Sequence, residues 1–463
     1  MWGAAAEFVL HALDCDTSNT MLFSIEKLIY GGDGLARTPA GADGRSMAVF
    51  VPFVLPGERV EAEIQQAKPG FARGSVAQLL EASPDRVEAR CPYFRQCGGC
   101  HYQHIPYERQ LEFKAEILRE TLQRIAKIEL KSEIRLHASP PWNYRNRTRL
   151  QVQTAPEFAL GYYRFGSHEF LPVRECPISS PLINRMMARL LELRGLNCPA
   201  AVEEIELFAD AADERLLAWA FCGREADKRD LLRWAEAIER ELPEIGGVTF
   251  FSSRRRSSER ESSEQRREDE APIYPQSLAQ SGAKSIRYQT KNHEHQVSAG
   301  AFFQVNRYLV DELVSVVTGN ARGDLALDLY AGVGLFSVPL ARSFHHIFGV
   351  EASLTSHGDF VQNVPANVKA AGARTEDYLR SRPVRNRPEL VVLDPPRTGA
   401  GSAVIRSLVE LGAPRVRYVS CDPATLARDI APLLAAGYHI EEAHLFDLFP
   451  ETSHIESVML LAR

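Results

Sequence analysis

The chain has 463 residues, which at ~150 residues per domain suggests about three domains, and its 45% hydrophobic and 25% charged content is that of an ordinary globular protein. Its 60 acids exceed its 54 bases, so the net charge of −6 gives no support to a generic basic nucleic-acid coat and leaves nucleic-acid binding to local patches. No apolar run reaches the ~18 residues of a membrane-spanning helix, and eight cysteines are too few for a disulfide-stapled secreted scaffold.

Residues 1–20 carry an apolar stretch, Ala4–Leu13, then Cys15. No basic residue precedes the stretch, and Asp14 stands where a lipoprotein cleavage site needs a small neutral side chain. They read as a disordered leader, or as an upstream extension with Met21 as the start. The expected compartment is the cytoplasm, where cysteines are reduced, catalytic or metal-bound. From Met21 to Pro84, short strands alternate with turns. Tyr30-Gly-Gly-Asp-Gly34 and Leu55-Pro-Gly-Glu58 are turn clusters, and Val60–Gln66 alternates apolar and polar residues with period two. This predicts a small β-barrel. Lys27, Arg37, Lys68 and Arg73 are scattered through it.

His101–Ile128 has helical apolar spacing, and a mixed α+β region follows from Lys131 to Ser298. The segment Trp142-Asn-Tyr-Arg-Asn-Arg-Thr-Arg149 is basic and aromatic, so Arg145, Arg147 and Arg149 are candidate RNA contacts. Arg254–Glu270 holds six arginines and six acids with no apolar residue, the composition of a mobile surface insertion. From Ala299 the pattern alternates helix and strand: a helix over Phe303–Val317, strands over Leu325–Tyr330, His346–Glu351, Glu389–Asp394 and Arg415–Cys421, and a helix over Pro423–Ala436. The fold class is therefore α/β, with a mainly parallel sheet covered on both faces. Ligands of such sheets bind at the carboxyl ends of the strands.

The polar punctuation falls at those ends. Gly332 and Gly334 follow the first strand, and Glu351 ends the second, where an acid accepts from ribose hydroxyls. Position 337 is Ser, so the three-glycine dinucleotide fingerprint is absent. A nucleoside ligand without phosphate fits, and S-adenosylmethionine is one. Asp394-Pro-Pro-Arg397 is a stiff strand exit that holds Asp394 and Arg397 in fixed directions. Cys421 ends a buried strand before a helix, where a thiol pKa can be lowered. In Phe449-Pro-Glu-Thr-Ser-His-Ile-Glu456, an extended backbone puts His454 and Glu456 on one side. A thiol, a carboxylate and a methyl donor suit one chemistry. The thiolate adds to pyrimidine C6, C5 takes the methyl group, and the base removes the C5 proton.

Together, Ala301-Phe-Phe-Gln-Val-Asn306, Asp328-Leu-Tyr-Ala-Gly-Val-Gly334, Asp394-Pro-Pro-Arg-Thr-Gly399, Ser420-Cys-Asp-Pro423 and Phe449-Pro-x-Thr-x-His-x-Glu456 closely resemble the bacterial RNA (uracil-5-)-methyltransferases. That resemblance implies a class I, Rossmann-like methyltransferase domain acting on tRNA or 23S rRNA. It implies that Gln304, Tyr330, Gly332, Glu351, Asp377 and Asp394 contact S-adenosylmethionine. It makes Cys421 the nucleophile, Glu456 the base and Arg397 a partner of the uracil oxygen. Residues 21–84 resemble the TRAM (OB-like) barrel of the family's larger members. Cys91, Cys97, Cys100 and Cys176 resemble their [4Fe-4S] ligands, although spacing alone does not separate iron–sulfur from zinc. The implied domains are the barrel (21–84), a central cluster-bearing domain (85–101 and 134–298) and the methyltransferase domain (102–133 and 299–463), in a monomer that binds RNA and no membrane. Leu335 departs from relatives that carry a polar residue there, and Ser353–Pro365 lacks a long helical pattern. Amino-methylation would not need Cys421. A non-catalytic Fe–S RNA-binding protein with a vestigial methyltransferase fold is the alternative from another class.

Overall fold

A computed structural model describes residues 20–41, 44–253, 277–291, 293–381 and 386–463. Nearly all of the leader, with Cys15, and the charged stretch Arg254–Glu270 lie outside the described residues. The chain divides into two compact units: Met1–Glu120 with Phe449–His454, and Thr121–Leu448 with Ile455–Arg463. Among the described residues no helix is long and apolar enough to cross a membrane.

The first unit opens with a six-stranded sheet. Its order is Thr20–Ser24, Arg59–Lys68, Phe71–Glu81, Ala48–Pro52, Asp33–Arg37, Lys27–Leu28. The alternation in Arg59–Lys68 does what period two requires. Val60 and Ala62 are fully buried beside Phe23, Val49, Val51 and Ala72, while Glu63 is exposed. Three of the scattered basic residues pair with acids of the same unit: Lys27 with Glu120, Arg37 with Glu26 and Arg73 with Asp33. The helix Tyr107–Ala126 follows, and most of its length belongs to this unit. The loop Phe449–His454 joins it from the far end of the chain. Gln110 and Glu451 exchange two hydrogen bonds, Gln110 Nε2 to Glu451 Oε2 at 3.1 Å and Glu451 N to Gln110 Oε1 at 3.0 Å. Lys114 Nζ donates to the Phe449 carbonyl at 3.1 Å.

The second unit holds two large sheets. The central one has seven strands in the order Phe170–Pro172, Ala159–Tyr163, Arg147–Gln153, Val202–Ala209, Leu216–Cys222, Ile245–Ser252, Ser277–Gly282. The other has eight: Val368–Gly372, Phe344–Glu351, Gly323–Leu329, Leu390–Leu393, Arg415–Ser420, Glu456–Ala462, His439–Phe446, Ile134–His137. Its first five strands are parallel, and Leu390-Val-Val-Leu393 is buried throughout, as a strand covered on both faces must be. Strand order reverses between Gly323–Leu329 and Leu390–Leu393. That reversal is the topological switch point, where a crevice opens beyond the carboxyl ends.

Three elements differ from the sequence expectation. Ile134–His137 is an edge strand of the eight-stranded sheet, paired parallel with His439–Phe446, and not part of the central region. The helix expected over Phe303–Val317 begins only at Val310. Buried Asn306 stops it earlier, because its Oδ1 accepts from Tyr308 N at 3.0 Å and Leu309 N at 3.3 Å and its Nδ2 reaches the Leu448 carbonyl at 3.2 Å. After Glu351 the covering element is a regular helix, Leu354–Asn363, capped by Ser353, whose hydroxyl accepts from Ser356 N at 3.3 Å.

Candidate active site

Four strand ends build the site, all within the second unit. Where the Gly323–Leu329 strand ends, Tyr330 takes a left-handed φ of 63°, followed by Gly332 at 57° and Gly334 at 93°. A Cβ on Gly334 would lie 2.7 Å from the Phe360 ring, so a side chain there would push the loop off the helix behind it. The backbone then turns back to the next strand end. Gly332 N donates to Glu351 Oε2 at 2.8 Å, and Ser353 N donates to Glu351 Oε1 at 2.6 Å. Glu351 is thus oriented by backbone donors, the Ala352 amide adding to these two. Burial still outweighs those bonds and raises its carboxyl above the ordinary value.

Asp328 lies beneath this loop with 1% of its surface exposed. Its Oδ2 accepts from Ser337 Oγ at 2.5 Å, while its Oδ1 is buried with no hydrogen-bond partner. Burial, reinforced by the charges of Asp394 and Glu351, pushes its carboxyl up to about 7. Gln304 is also buried, and its Nε2 faces Asp394 Oδ2 at 3.4 Å. Burial pushes the Asp394 carboxyl up to about 7 as well.

Cys421 and Glu456 meet through strand pairing. Ser420 and Ser457 are the last register partners in the antiparallel ladder between Arg415–Ser420 and Glu456–Ala462, so Cys421 and Glu456 are the residues that lie immediately beyond its end. Burial pushes the Cys421 thiol up to about 12, with Glu456 and Asp394 adding to the shift and Arg397 opposing it. This reverses the lowered thiol expected from a helix N-terminus. The first free amides of that helix, Ala424 N and Thr425 N, are taken by the Asp422 carboxylate at 3.0 and 2.8 Å. Burial holds Glu456 well above the ordinary carboxylate range, with Asp394 adding and Arg397 opposing. Arg397 is exposed at the mouth of the site.

Not every expected residue converges. Asp377 is exposed on the short helix Thr375–Arg380 and pairs with Arg380 at 3.3 Å. The residue beside it, Glu376, is the one near Tyr330, whose phenol burial and the Glu376 charge push up to about 12. Successive residues on a helix point about 100° apart, which is why Glu376 and Asp377 face differently. His454 belongs to the first unit, where it packs edge-on to Phe449. Cys91, Cys97 and Cys100 lie in the first unit and Cys176 in the second, and among the described residues no three His, Cys, Asp or Glu side chains are drawn together as a metal requires. Gly99 N donates to Cys97 Sγ at 3.4 Å.

Of the three arginines read as RNA contacts, Arg147 serves the interior, whereas Arg149 stays exposed. Arg147 is 9% exposed, its guanidinium lies 4.3 Å from the Phe208 ring centre, and its Nη1 donates to the Ala301 carbonyl at 2.8 Å. Arg149 is held by Glu206 at 2.7 Å. Asn146, unremarked in the sequence, donates to the Gln304 carbonyl at 3.0 Å. Asn146 and Arg147 therefore form a shelf under the Ala301–Asn306 loop. Their apolar neighbours Tyr144 and Leu150 were the available hint of burial.

A sheet with this switch point, a glycine turn after the first strand, an acid after the second and an antiparallel final strand defines a class I methyltransferase. The profile of the tRNA (uracil-5-)-methyltransferases matches residues 384–463, and that of the TRAM domain matches residues 19–77. The 23S rRNA (uracil(1939)-C(5))-methyltransferase RlmD of Halomonas elongata is 34% identical over 94% of this chain and 88% of its own length. An uncharacterized RNA methyltransferase of Halalkalibacterium halodurans is 30% identical over 95% of this chain and 96% of its own. The crystal structure of the Pyrococcus abyssi tRNA (uracil-54, C5)-methyltransferase with S-adenosyl-L-homocysteine superposes with a TM-score of 0.70 at 24% identity, covering 95% of this chain and 99% of that one. The chain belongs to the RNA (uracil-5-)-methyltransferase family, and it is an enzyme of that class with an N-terminal TRAM domain.

Proposed function

We propose that the enzyme makes 5-methyluridine in 23S rRNA, with S-adenosylmethionine as methyl donor, Cys421 as nucleophile and Glu456 as base. The observation that carries this reading is that Cys421 and Glu456 come together just beyond the end of one ladder, with the Glu456 and Asp394 charges acting on the thiol. The donor fits the residues present. Asp328, with its orphaned oxygen, Glu351 and Asp394 crowd negative charge into one buried place, as a sulfonium cation calls for, and Glu351 and the glycine turn suit a nucleoside. Gln304, Tyr330, Gly332, Glu351 and Asp394 would hold it. When bound, it supplies the electrophilic methyl group. The Cys421 thiolate adds to uracil C6, and the displaced electron pair makes C5 nucleophilic. Arg397, the cation acting on both Cys421 and Glu456, favours the thiolate and faces the charge that develops on the uracil oxygen. After C5 is methylated, Glu456 takes the C5 proton and the Cys421 sulfur leaves. The Halomonas relative favours 23S rRNA over tRNA as substrate. Mass-spectrometric mapping of 5-methyluridine in rRNA and tRNA, with and without the gene, tests the reading. A 23S rRNA site lost on deletion and restored by the gene is expected, and an unchanged map in both RNAs would sink it.

A further inference from the structure

The loop that carries Arg397 is tied to the helix that follows Cys421, and one buried carboxylate makes most of the knot. The helix Pro423–Ala435 presents Thr425, Arg428 and Asp429, spaced i, i+3 and i+4, to this loop. Asp429 is 1% exposed. Its Oδ2 accepts from Ala400 N at 2.7 Å, from Gly401 N at 3.3 Å and from the Tyr418 hydroxyl at 2.8 Å. Its Oδ1 accepts from Arg428 Nε at 2.8 Å. The loop's carbonyls face the same helix: Thr425 Oγ1 donates to the Arg397 carbonyl at 3.1 Å, and Arg428 Nη2 donates to the Thr398 carbonyl at 2.8 Å. Gly399, at φ +78°, makes the approach possible, since a Cβ there would fall 2.5 Å from both Arg428 Nη2 and Asp429 Oδ2. Tyr418 stands three residues before Cys421 on the same strand, and burial together with the Asp429 charge keeps its phenol protonated and donating.

We infer that Asp429 is a positioning residue for methyl transfer: it locks the Arg397 loop onto the helix that follows Cys421, fixing guanidinium and thiol relative to each other. Every bond in the knot lies outside the cofactor-facing residues. Arg397 itself is exposed and long, so without a fixed backbone its head would sample many directions. A carboxylate can accept from the two amides, the phenol and Arg428 at once, whereas an amide side chain in the same place offers one acceptor oxygen and turns donors toward donors. The inference rests on the uracil-C5 reading of the site. It makes a demand of its own, because loosening the loop should slow covalent chemistry while leaving cofactor capture alone.

The test uses the full-length enzyme, wild type against Asp429→Asn and Arg428→Met, with S-adenosylmethionine and a substrate RNA identified by the mapping above. The expected result is a kcat lowered about 10- to 100-fold in Asp429→Asn, the scale of a small misplacement of a catalytic group. Cofactor affinity by calorimetry and KM for RNA should stay within about twofold. Backbone amide exchange should quicken in peptides covering residues 394–404 and not in those covering 325–351. Arg428→Met, which keeps the carboxylate but loses the Thr398 bond, should fall between. A folded Asp429→Asn enzyme with wild-type kcat, or one whose loss lies wholly in cofactor affinity, overturns the inference. If Asp429→Asn does not fold, Arg428→Met decides: unchanged kcat and unchanged exchange in 394–404 overturn it equally. A wild-type enzyme that makes no 5-methyluridine defeats the functional reading instead, and the two failures are told apart by that control.

Discussion

Ser420 and Ser457 face each other on the last shared rung of an antiparallel ladder, and Ser457 Oγ donates to the Ser420 carbonyl at 3.3 Å. Just beyond that rung stand Cys421 and Glu456, two groups 35 positions apart in the chain and proposed as nucleophile and base. The pairing register does this without any special loop, since a one-residue slip would turn Glu456 to the other face of the sheet.

Cys421→Ala should abolish methyl transfer and leave cofactor binding within about twofold, because the thiol makes and breaks the covalent bond but does not hold the donor. Tritiated methyl incorporation into RNA, with calorimetry for the cofactor, measures both. Residual methylation above background would remove Cys421 from the nucleophile's role.

Glu456→Gln keeps the side chain's shape and removes its basicity. The enzyme should add to uracil and transfer the methyl group, then stall, so a covalent protein–RNA species should build up on a denaturing gel. If no such species forms while turnover falls, Glu456 serves an earlier step and another group takes the proton.

Asp328 gives the fold a definite pH signature. Its carboxyl titrates near 3.8 when unfolded and near 7 in the folded protein, so the folded state holds the extra proton between those values. Its contribution therefore erodes as pH rises from about 4 through about 7, and the loss is complete above that. Thermal midpoints measured against pH should fall less steeply in this interval for Asp328→Asn than for the wild type. Parallel curves would show that the buried carboxyl is not protonated as proposed.

Arg147→Ala should cost stability, by about 2–5 kcal/mol, since it leaves Glu206 with Arg149 as its only remaining arginine among the described residues, opens space beside Phe208 and Trp219 and frees the Ala301 carbonyl. Urea unfolding measures this. The salt dependence of RNA binding should keep its slope, because a buried arginine neutralises no phosphate. A slope reduced by about one with unchanged stability would return Arg147 to the RNA interface.

The [4Fe-4S] expectation rests on the motif formed by Cys91, Cys97, Cys100 and Cys176, to which the fold adds no support. Anaerobically purified protein should contain iron and acid-labile sulfide, lost in Cys97→Ser. Stoichiometric zinc without iron, or no metal at all, would end the cluster assignment.

The sequence by itself determined the α/β class and the order of the motifs, and it placed Cys421, Glu456, Asp394 and Glu351 as the candidate site residues. These residues stand at strand ends, where hydrophobic runs stop abruptly at polar groups, and that contrast is local and legible. Tertiary structure alone decided the rest. A basic, aromatic stretch looks the same whether its arginines meet phosphate or, like Arg147, a carbonyl and two rings, because burial depends on strands far away in the chain. The helix expected from Phe303 starts seven residues later because Asn306 is claimed by carbonyls 141 and 142 positions distant. Glu376, not Asp377, faces Tyr330, through one step of helical rotation. The thiol of Cys421 went up and not down because burial, with the Glu456 and Asp394 charges beside it, comes only when the sheet is complete. Asp429, an ordinary acid on an amphipathic helix in the sequence, became the keystone of the Arg397 loop only once the helix had packed.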